Sequence, residues 1–537
     1  MRTTRICALI GLLIAAPAAG QQPGGPLTLT LEKAVQRAIE HNPDLALVKL
    51  GTEVEAARVG ETASAYTPVF STVLGRSSSA TPPSSLLLGE NGVNVNDWFT
   101  STGVRQRLRW GSGTWSLSWD TARTTTNNPF SSFDPSVQSG VQFAFSQPLF
   151  KDRAMDAARM QYIVAKRNQA RSDLHFREAV VQTVAGVKHA YWTLKATLAN
   201  VTVQERSLEL AQELARQNKV RVDAGQNPPL DSVQAEAEVA QRRESLIRAT
   251  ALAQDAEDAL RRLIIDPADV SFWQVRLDPV DEPSQPGLVP DVNGAVAMAL
   301  HERYDLARAE QELANAQTAV AFLDNQRLPD VRLETSYRGS GLSGTQFLRT
   351  GGFPGSVTGS LNRGFGDALG QVFTNDYPTW SVGMTVSYPL GRSYEAASHA
   401  RADVERRQVV QRIASLRVEV AETIRRAGRQ IHSTAQRVDA ARAGATLAHE
   451  RLEAEQRRYE VGLSTTFLVT QAQRDLLEAQ VTLLQTTLDH QSALVSFEAV
   501  RQAPPFLAGN AVGIRGANVV VLPTPAPQGL FRQGAGL

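Results

Sequence analysis

The chain has 537 residues, with 55 lysines and arginines against 54 acidic residues, a formal charge of +1 and a single cysteine. So even a balance supplies no basic surface for nucleic acid. One cysteine, Cys7, excludes an internal disulfide or a cysteine-built metal site, and at roughly 150 residues per domain the length alone allows three or four domains.

Residues 1–20 carry Arg2 and Arg5, an apolar run over 6–16, and small residues at Ala18 and Gly20, the layout of a cleavable secretory signal. Its apolar core is too short to span a bilayer and no longer one follows, so integral contact with a membrane falls to strands. Cys7 lies inside the apolar run, which argues against acylation there. Cleavage takes away Arg2 and Arg5 and leaves 53 basic residues against 54 acidic. A helical pattern fills 31–65. Beyond it, 110–115 (WGSGTW) reads as a hairpin turn feeding a strand in which Trp115, Leu117 and Trp119 alternate with Ser116, Ser118 and Asp120. The same period of two places Val137, Ser139, Val141, Phe143 and Phe145 against Gln138, Gly140, Gln142 and Ala144.

Residues 153–224 form an unbroken helical pattern rich in Ala, Arg, Gln, Glu and Leu, roughly 100 Å long at 1.5 Å per residue. Val180, Val184, Val187, Tyr191, Leu194, Leu198 and Val201 mark its packing seam. A further helix spans 231–265. Five prolines then crowd 266–290, too many for a regular element and suited to a connector. Helix 291–327 follows, and next a strand in which Val331, Leu333, Thr335 and Tyr337 alternate with Arg332, Glu334, Ser336 and Arg338. Residues 339–344 (GSGLSG) fit the GxGxxG pattern, but the Gly- and Pro-rich stretch beyond offers no helix to a phosphate, so a flexible loop is expected. In 379–390, Trp380, Val382, Met384, Val386 and Tyr388 alternate with small polar residues. Last come a second long helix, 395–461, with a seam through Val438, Ala441, Ala445, Ala448, Leu452, Glu455 and Tyr459, a helix at 465–501, and an irregular tail at 503–537.

These elements repeat. Residues 42–46 align with 303–307 so that Pro68 falls on Pro329, 147–149 match 388–390, and 222–241 lie over 459–478 with Gly225 on Gly462 and Gln234 on Gln471. The chain therefore divides into a first repeat, 28–270, a proline-rich connector, 271–290, and a second repeat, 291–502. The strands are of the length a tilted barrel strand needs to cross a bilayer, apolar toward lipid and polar toward a lumen, and Trp98, Trp110, Trp115, Trp119 and Trp380 lie in or beside them. An ordinary sheet with one face packed on helices is the alternative. No catalytic or metal site is read: the eight histidines are scattered, HExxH is absent, and no cofactor is implied.

The paired starts at 42–45 and 303–306, the strand ends SQPLF and SYPLG, and above all RYEVGLSTTFLVTQAQRDLLEAQ at 458–480 resemble the TolC-like outer membrane efflux proteins across nearly the whole chain. The resemblance implies a mainly α fold with transmembrane β: a homotrimer whose strands, four per chain, close one outer membrane β-barrel, continued through the periplasm by an α-helical barrel of coiled-coil hairpins. The hairpin at 110–119 leaves open whether the chain has four strands or six. It also implies an exit duct in outer membrane lipid, serving an inner membrane transporter through a periplasmic adaptor protein and passing small molecules passively. A type I protein secretion duct is the alternative within the fold, and a soluble periplasmic coiled-coil scaffold the alternative outside it. Gly225 and Gly462 would be the hairpin tips that contact the adaptor, and glycines there also suit left-handed helix caps. Asp231 and Tyr459 fall where the periplasmic gate is latched, although Asp231 with Gln234 also fits a capping box and Tyr459 also fits the seam. Phe467, Leu468 and Gln471 fall at the pore constriction. Leu468 and Gln471 stand where the family's best-known type has carboxylates, so a ring of negative charge is not expected, and Phe467 and Leu468 either narrow the pore by dewetting or pack between helices.

Overall fold

The computed structural model describes residues 27–82, 92–284, 287, 290–352, 355–391 and 393–504. The signal at 1–20, most of the tail and part of the connector lie outside the described residues. In chain order the elements are β1 (Leu27–Leu29), α1 (Leu31–His41), α2 (Pro43–Ala63), β2 (Val69–Thr81), β3 (Val93–Arg107), β4 (Thr114–Thr126), β5 (Phe133–Pro148), α3 (Ala157–Asp223), α4 (Pro229–Ile264), β6 (Leu277–Pro279), α5 (Val292–Glu302), α6 (Tyr304–Gln326), β7 (Asp330–Thr350), β8 (Ser356–Arg363), α7 (Phe365–Thr374), β9 (Tyr377–Ser387), α8 (Tyr394–Glu460) and α9 (Thr466–Val500).

The helices expected at 31–65 and 291–327 are each broken in two, at Asn42 and Arg303, which are equivalent positions of the repeat. Asn42 is driven to extended backbone (ψ 118°) by the proline that follows it. Its side chain then caps the start of α2, accepting from the Leu45 N–H, and ties the break to the end of α4, donating to the Leu263 carbonyl, each at 3.0 Å. At Arg303 no proline intervenes; the buried guanidinium donates to the Val500 carbonyl at 3.0 Å.

The chain separates into two compact units. One comprises the residues up to Val48, Arg177–Arg303 and Val420 onward, and its core gathers Leu29, Ala34, Ala38, Val187, Tyr191, Leu194, Leu260, Ile264 and Leu277. The seam of α3 thus points inward, with Val187, Tyr191 and Leu194 wholly buried. Burying the Tyr191 hydroxyl demands partners: it lies 2.9 Å from the Leu29 carbonyl and 2.7 Å from the Asp281 carboxylate, which also accepts the Leu31 N–H.

The other unit, Lys49–Phe176 and Tyr304–Glu419, holds an antiparallel sheet in the order β2-β3-β4-β5-β7, with β9 on the first half of β7 and β8 on its second half. Six positions therefore lie side by side. The turn between β3 and β4 falls at 108–113, close to the expected hairpin, and both strands pair along their length. Register sets Phe70, Val104, Leu117, Phe143, Tyr337 and Trp380 in one row across the sheet. With a side-chain period of two, that row and its neighbours make one apolar face. The opposite face is polar: Asp120 accepts from Ser101 at 2.6 Å and lies 3.4 Å from Arg338.

Residues 339–344 do not form a loop. They continue β7, and α7 lies across them on the apolar face. A Cβ at Gly341 would stand 1.9 Å from the Ala368 carbonyl oxygen, so a residue without one is what lets helix and strand touch. Among the described residues the rest of that face is uncovered: Leu74 is 73% and Trp380 71% exposed.

Candidate functional site: the hairpin tips

Helices α3 and α4 meet in one tight turn and α8 and α9 in another, and the two turns are built alike. Gly225 and Gly462 adopt left-handed backbone (φ 69° and 77°), and a Cβ added at either would point into open space. The Gly225 N–H reaches the Val222 carbonyl at 2.9 Å and the Gln226 N–H the Arg221 carbonyl at 2.8 Å. In the second turn the Gly462 N–H reaches Tyr459 at 3.1 Å and the Leu463 N–H reaches Arg458 at 2.8 Å. Both bond pairs close the last helical carbonyls in the Schellman manner.

Helix α4 starts from Pro228 with Pro229 in its first turn, so Asp231 is not an N-cap and the capping-box reading of Asp231 with Gln234 is overturned. Its carboxylate instead accepts from Asn227 at 3.2 Å and stands 3.5 Å from the Thr466 hydroxyl. Thr466 donates to Asn218 Oδ1 at 3.0 Å, and the buried Tyr459 hydroxyl donates to the same oxygen at 2.5 Å. Arg221 covers the Tyr459 ring, 4.1 Å from its centre, and donates to the Tyr459 carbonyl. Asp231 and Tyr459 therefore belong to one polar cluster that joins the two hairpins of a single chain through Asn218 and Thr466. Leu214, Leu452, Val469, Ala472 and Leu476 seal it from below. Sequence reading missed Asn218 and Arg221. The available signal was position: 214, 218 and 221 follow the four-three spacing of a seam, where a buried asparagine needs a partner.

Phe467 is 67% exposed and Leu468 43%, while Val469 and Ala472 face the core. Within the chain, then, neither Phe467 nor Leu468 packs between helices. Gln471 donates to Asp475 at 2.7 Å, and that carboxylate is itself paired with Arg451 at 2.7 Å. On the side of α4, Glu238 is buried between Arg242 (2.6 Å) and Arg474 (2.5 Å). Burial alone would raise the Glu238 pKa; the Arg474 hydrogen bond and the two guanidinium charges outweigh it and hold the carboxyl below its ordinary value. No group of three or more metal-ligating side chains occurs among the described residues. None of their helices is long and apolar enough to cross a membrane.

An open antiparallel sheet with one bare apolar face, joined to paired helical hairpins, defines a membrane channel subunit of the barrel-and-hairpin kind. The model of the family described as outer membrane efflux protein matches residues 34–264 and 295–500; the chain belongs to that family, one of channels in the outer membrane. Among solved structures, the CmeC outer membrane channel of Campylobacter jejuni superposes with a TM-score of 0.64 at 16% identity, over 88% of this chain and 85% of that one. The outer membrane protein VceC of Vibrio cholerae gives 0.61 at 15% (89% and 97%), and the open state of the Neisseria gonorrhoeae MtrE outer membrane channel 0.58 at 18% (88% and 89%). At such identities the likeness is one of fold. No curated protein matches the chain by sequence. Family membership sets aside the soluble scaffold.

Proposed function

We propose that three copies of the chain close into a barrel in the outer membrane and serve as the exit duct of a tripartite efflux system, taking small molecules from an inner membrane transporter through a periplasmic adaptor. The observation that carries this reading is the pair of unsatisfied edges. Among the described residues β2, 13 residues long, pairs only with β3, and β9, 11 residues long, pairs only with β7. Long bare edges beside an apolar face are a liability in a lone chain, and closing a barrel with copies of the same sheet removes them. The adaptor is assigned to the tips because both end in exposed, identically capped turns at Gly225 and Gly462. Asp231 and Tyr459 act as a latch on the closed state, and Phe467, Leu468 and Gln471 line the narrow level beside it.

Two measurements test the reading. The purified mature chain should be a trimer that needs detergent; a monomer stable without detergent would overturn the duct. Valine at both 225 and 462 imposes a branched side chain on left-handed backbone, which costs roughly 1–2 kcal/mol at each position. It should abolish copurification with the adaptor while leaving trimers intact. Undiminished capture together with intact transport would reject the docking role. A transported substrate of small-molecule size, set against a secreted polypeptide, separates efflux from type I secretion.

A further inference from the structure

On β2 and β4 the apolar face of the sheet gives way to charge toward the ends of the strands away from α2 and α3. Its apolar residues run out at Tyr337 on β7, Trp119 on β4 and Leu74 on β2. Next along the same face come Arg76 on β2 and, after Thr121, Arg123 on β4, which lies opposite Val137 of β5. Register sets Arg76 opposite Trp98 and Trp98 opposite Arg123. Unbroken alternation keeps Arg76 on the side of Phe70 and Leu74, and Arg123 on the side of Leu117 and Trp119. Contact agrees, since the Arg76 guanidinium lies 5.2 Å from the centre of the Trp98 ring. Both arginines are exposed, and among the described residues no carboxylate pairs with either. Two strand spacings separate their backbones by about 10 Å. At the same border, over Gly339 and Gly341, α7 presents Phe373, 77% exposed, and Phe365, 43% exposed.

We propose that Arg76, Trp98 and Arg123 form a binding site for the phosphorylated headgroup of an outer-leaflet lipid. This rests on reading the apolar face as the membrane face. A guanidinium facing hydrocarbon is costly, whereas one at the headgroup level meets phosphate in a charge-assisted, bidentate geometry. Tryptophan suits that same boundary, with an apolar body toward the acyl chains and a polar edge toward the headgroup. A lipid fits better than free phosphate because the site continues an acyl-facing surface through Leu74 and Trp119. The exposed phenylalanines of α7 extend the same border across β7, so the rim of the sheet offers cation and aromatic side by side.

The test is native mass spectrometry of the intact mature protein in micelles, with added bisphosphorylated lipid A, its dephosphorylated counterpart, or inorganic phosphate. The wild type should retain the bisphosphorylated lipid about tenfold more tightly than the dephosphorylated one, the scale of one lost charge-assisted hydrogen bond. R76Q/R123Q should lose that preference, R76K/R123K should keep part of it, and inorganic phosphate should not displace the lipid. Equal retention of the two glycolipids by the wild type overturns the site without any variant being needed, and so does an unchanged preference in R76Q/R123Q. Displacement by inorganic phosphate would make it an anion site instead. Failure of the membrane reading looks different: the protein would then take up no lipid and fractionate without detergent.

Discussion

One oxygen atom carries much of the tip. The Tyr459 hydroxyl is buried and spends its proton on Asn218 Oδ1. Tyr459→Phe keeps the ring under Arg221 and leaves Asn218 only the Thr466 hydroxyl, a loss of about 1 kcal/mol for a buried neutral hydrogen bond. If the cluster latches the closed state, trimers of this variant should leak more current in planar bilayers at unchanged assembly. Conductance equal to wild type would show that Tyr459 merely fills the seam. A second residue-scale expectation concerns pH. The Glu238 carboxyl is held below its ordinary 4.5 in the folded chain, so its contribution to stability is fully present above about pH 4.5 and is lost as pH falls through the folded value. Glu238→Gln should lower the melting temperature at neutral pH, because Arg242 and Arg474 lose their shared anion, and should flatten the decline in acid. Thermal melts from neutral pH to about pH 3 separate the two; parallel curves for both proteins would mean that the triad is not the acid-sensitive element.

At the scale of elements, the seat of α7 is open to disruption by a single change. Gly341→Leu puts side-chain atoms where the Ala368 carbonyl now stands, and a backbone oxygen on a helix has no rotamer with which to move aside. The helix must lift. Limited proteolysis should then cut 365–374 faster than in the wild type with the sheet still folded; an unchanged rate would mean that the close approach is not what holds α7. The same stretch shows where sequence reading stops. Alternation in 137–145, 331–338 and 379–388 was legible because those strands keep one apolar face. Residues 339–344 are a strand covered by a helix, so the glycines that make the fit possible erase the alternation that would have revealed it. The helix expected over 31–65 passed over Pro43, which is the local signal for the break at Asn42, whereas nothing in the local sequence marks Arg303; only the repeat does, by placing 303 over 42. The tips were legible because glycine after a long helical run is a local backbone requirement. Asn218 was not, since its role depends on Tyr459 and Thr466, far away in the chain.

For the whole molecule the number of strands sets the width of the wall. The family resemblance implies four strands per chain, yet six positions lie side by side here, with β3 and β4 paired in unbroken register to each other and to β2 and β5. A hairpin folded out of the wall would have to break those ladders and leave its apolar row, Val104 and Leu117, without the neighbours Phe70 and Phe143. In the proposed trimer three copies bring eighteen strands, and since barrel diameter grows roughly linearly with strand number, the lumen should be about one and a half times as wide as a twelve-stranded one. Arg105 and the Asp120–Arg338 pair, on the polar face, would then border water. Imaging of the detergent-solubilised trimer should count eighteen strands in cross-section, with β2 of one copy hydrogen-bonded to β9 of the next. A count of twelve, with β3 and β4 outside the ring, would refute the wider barrel while leaving the trimer and its tips untouched.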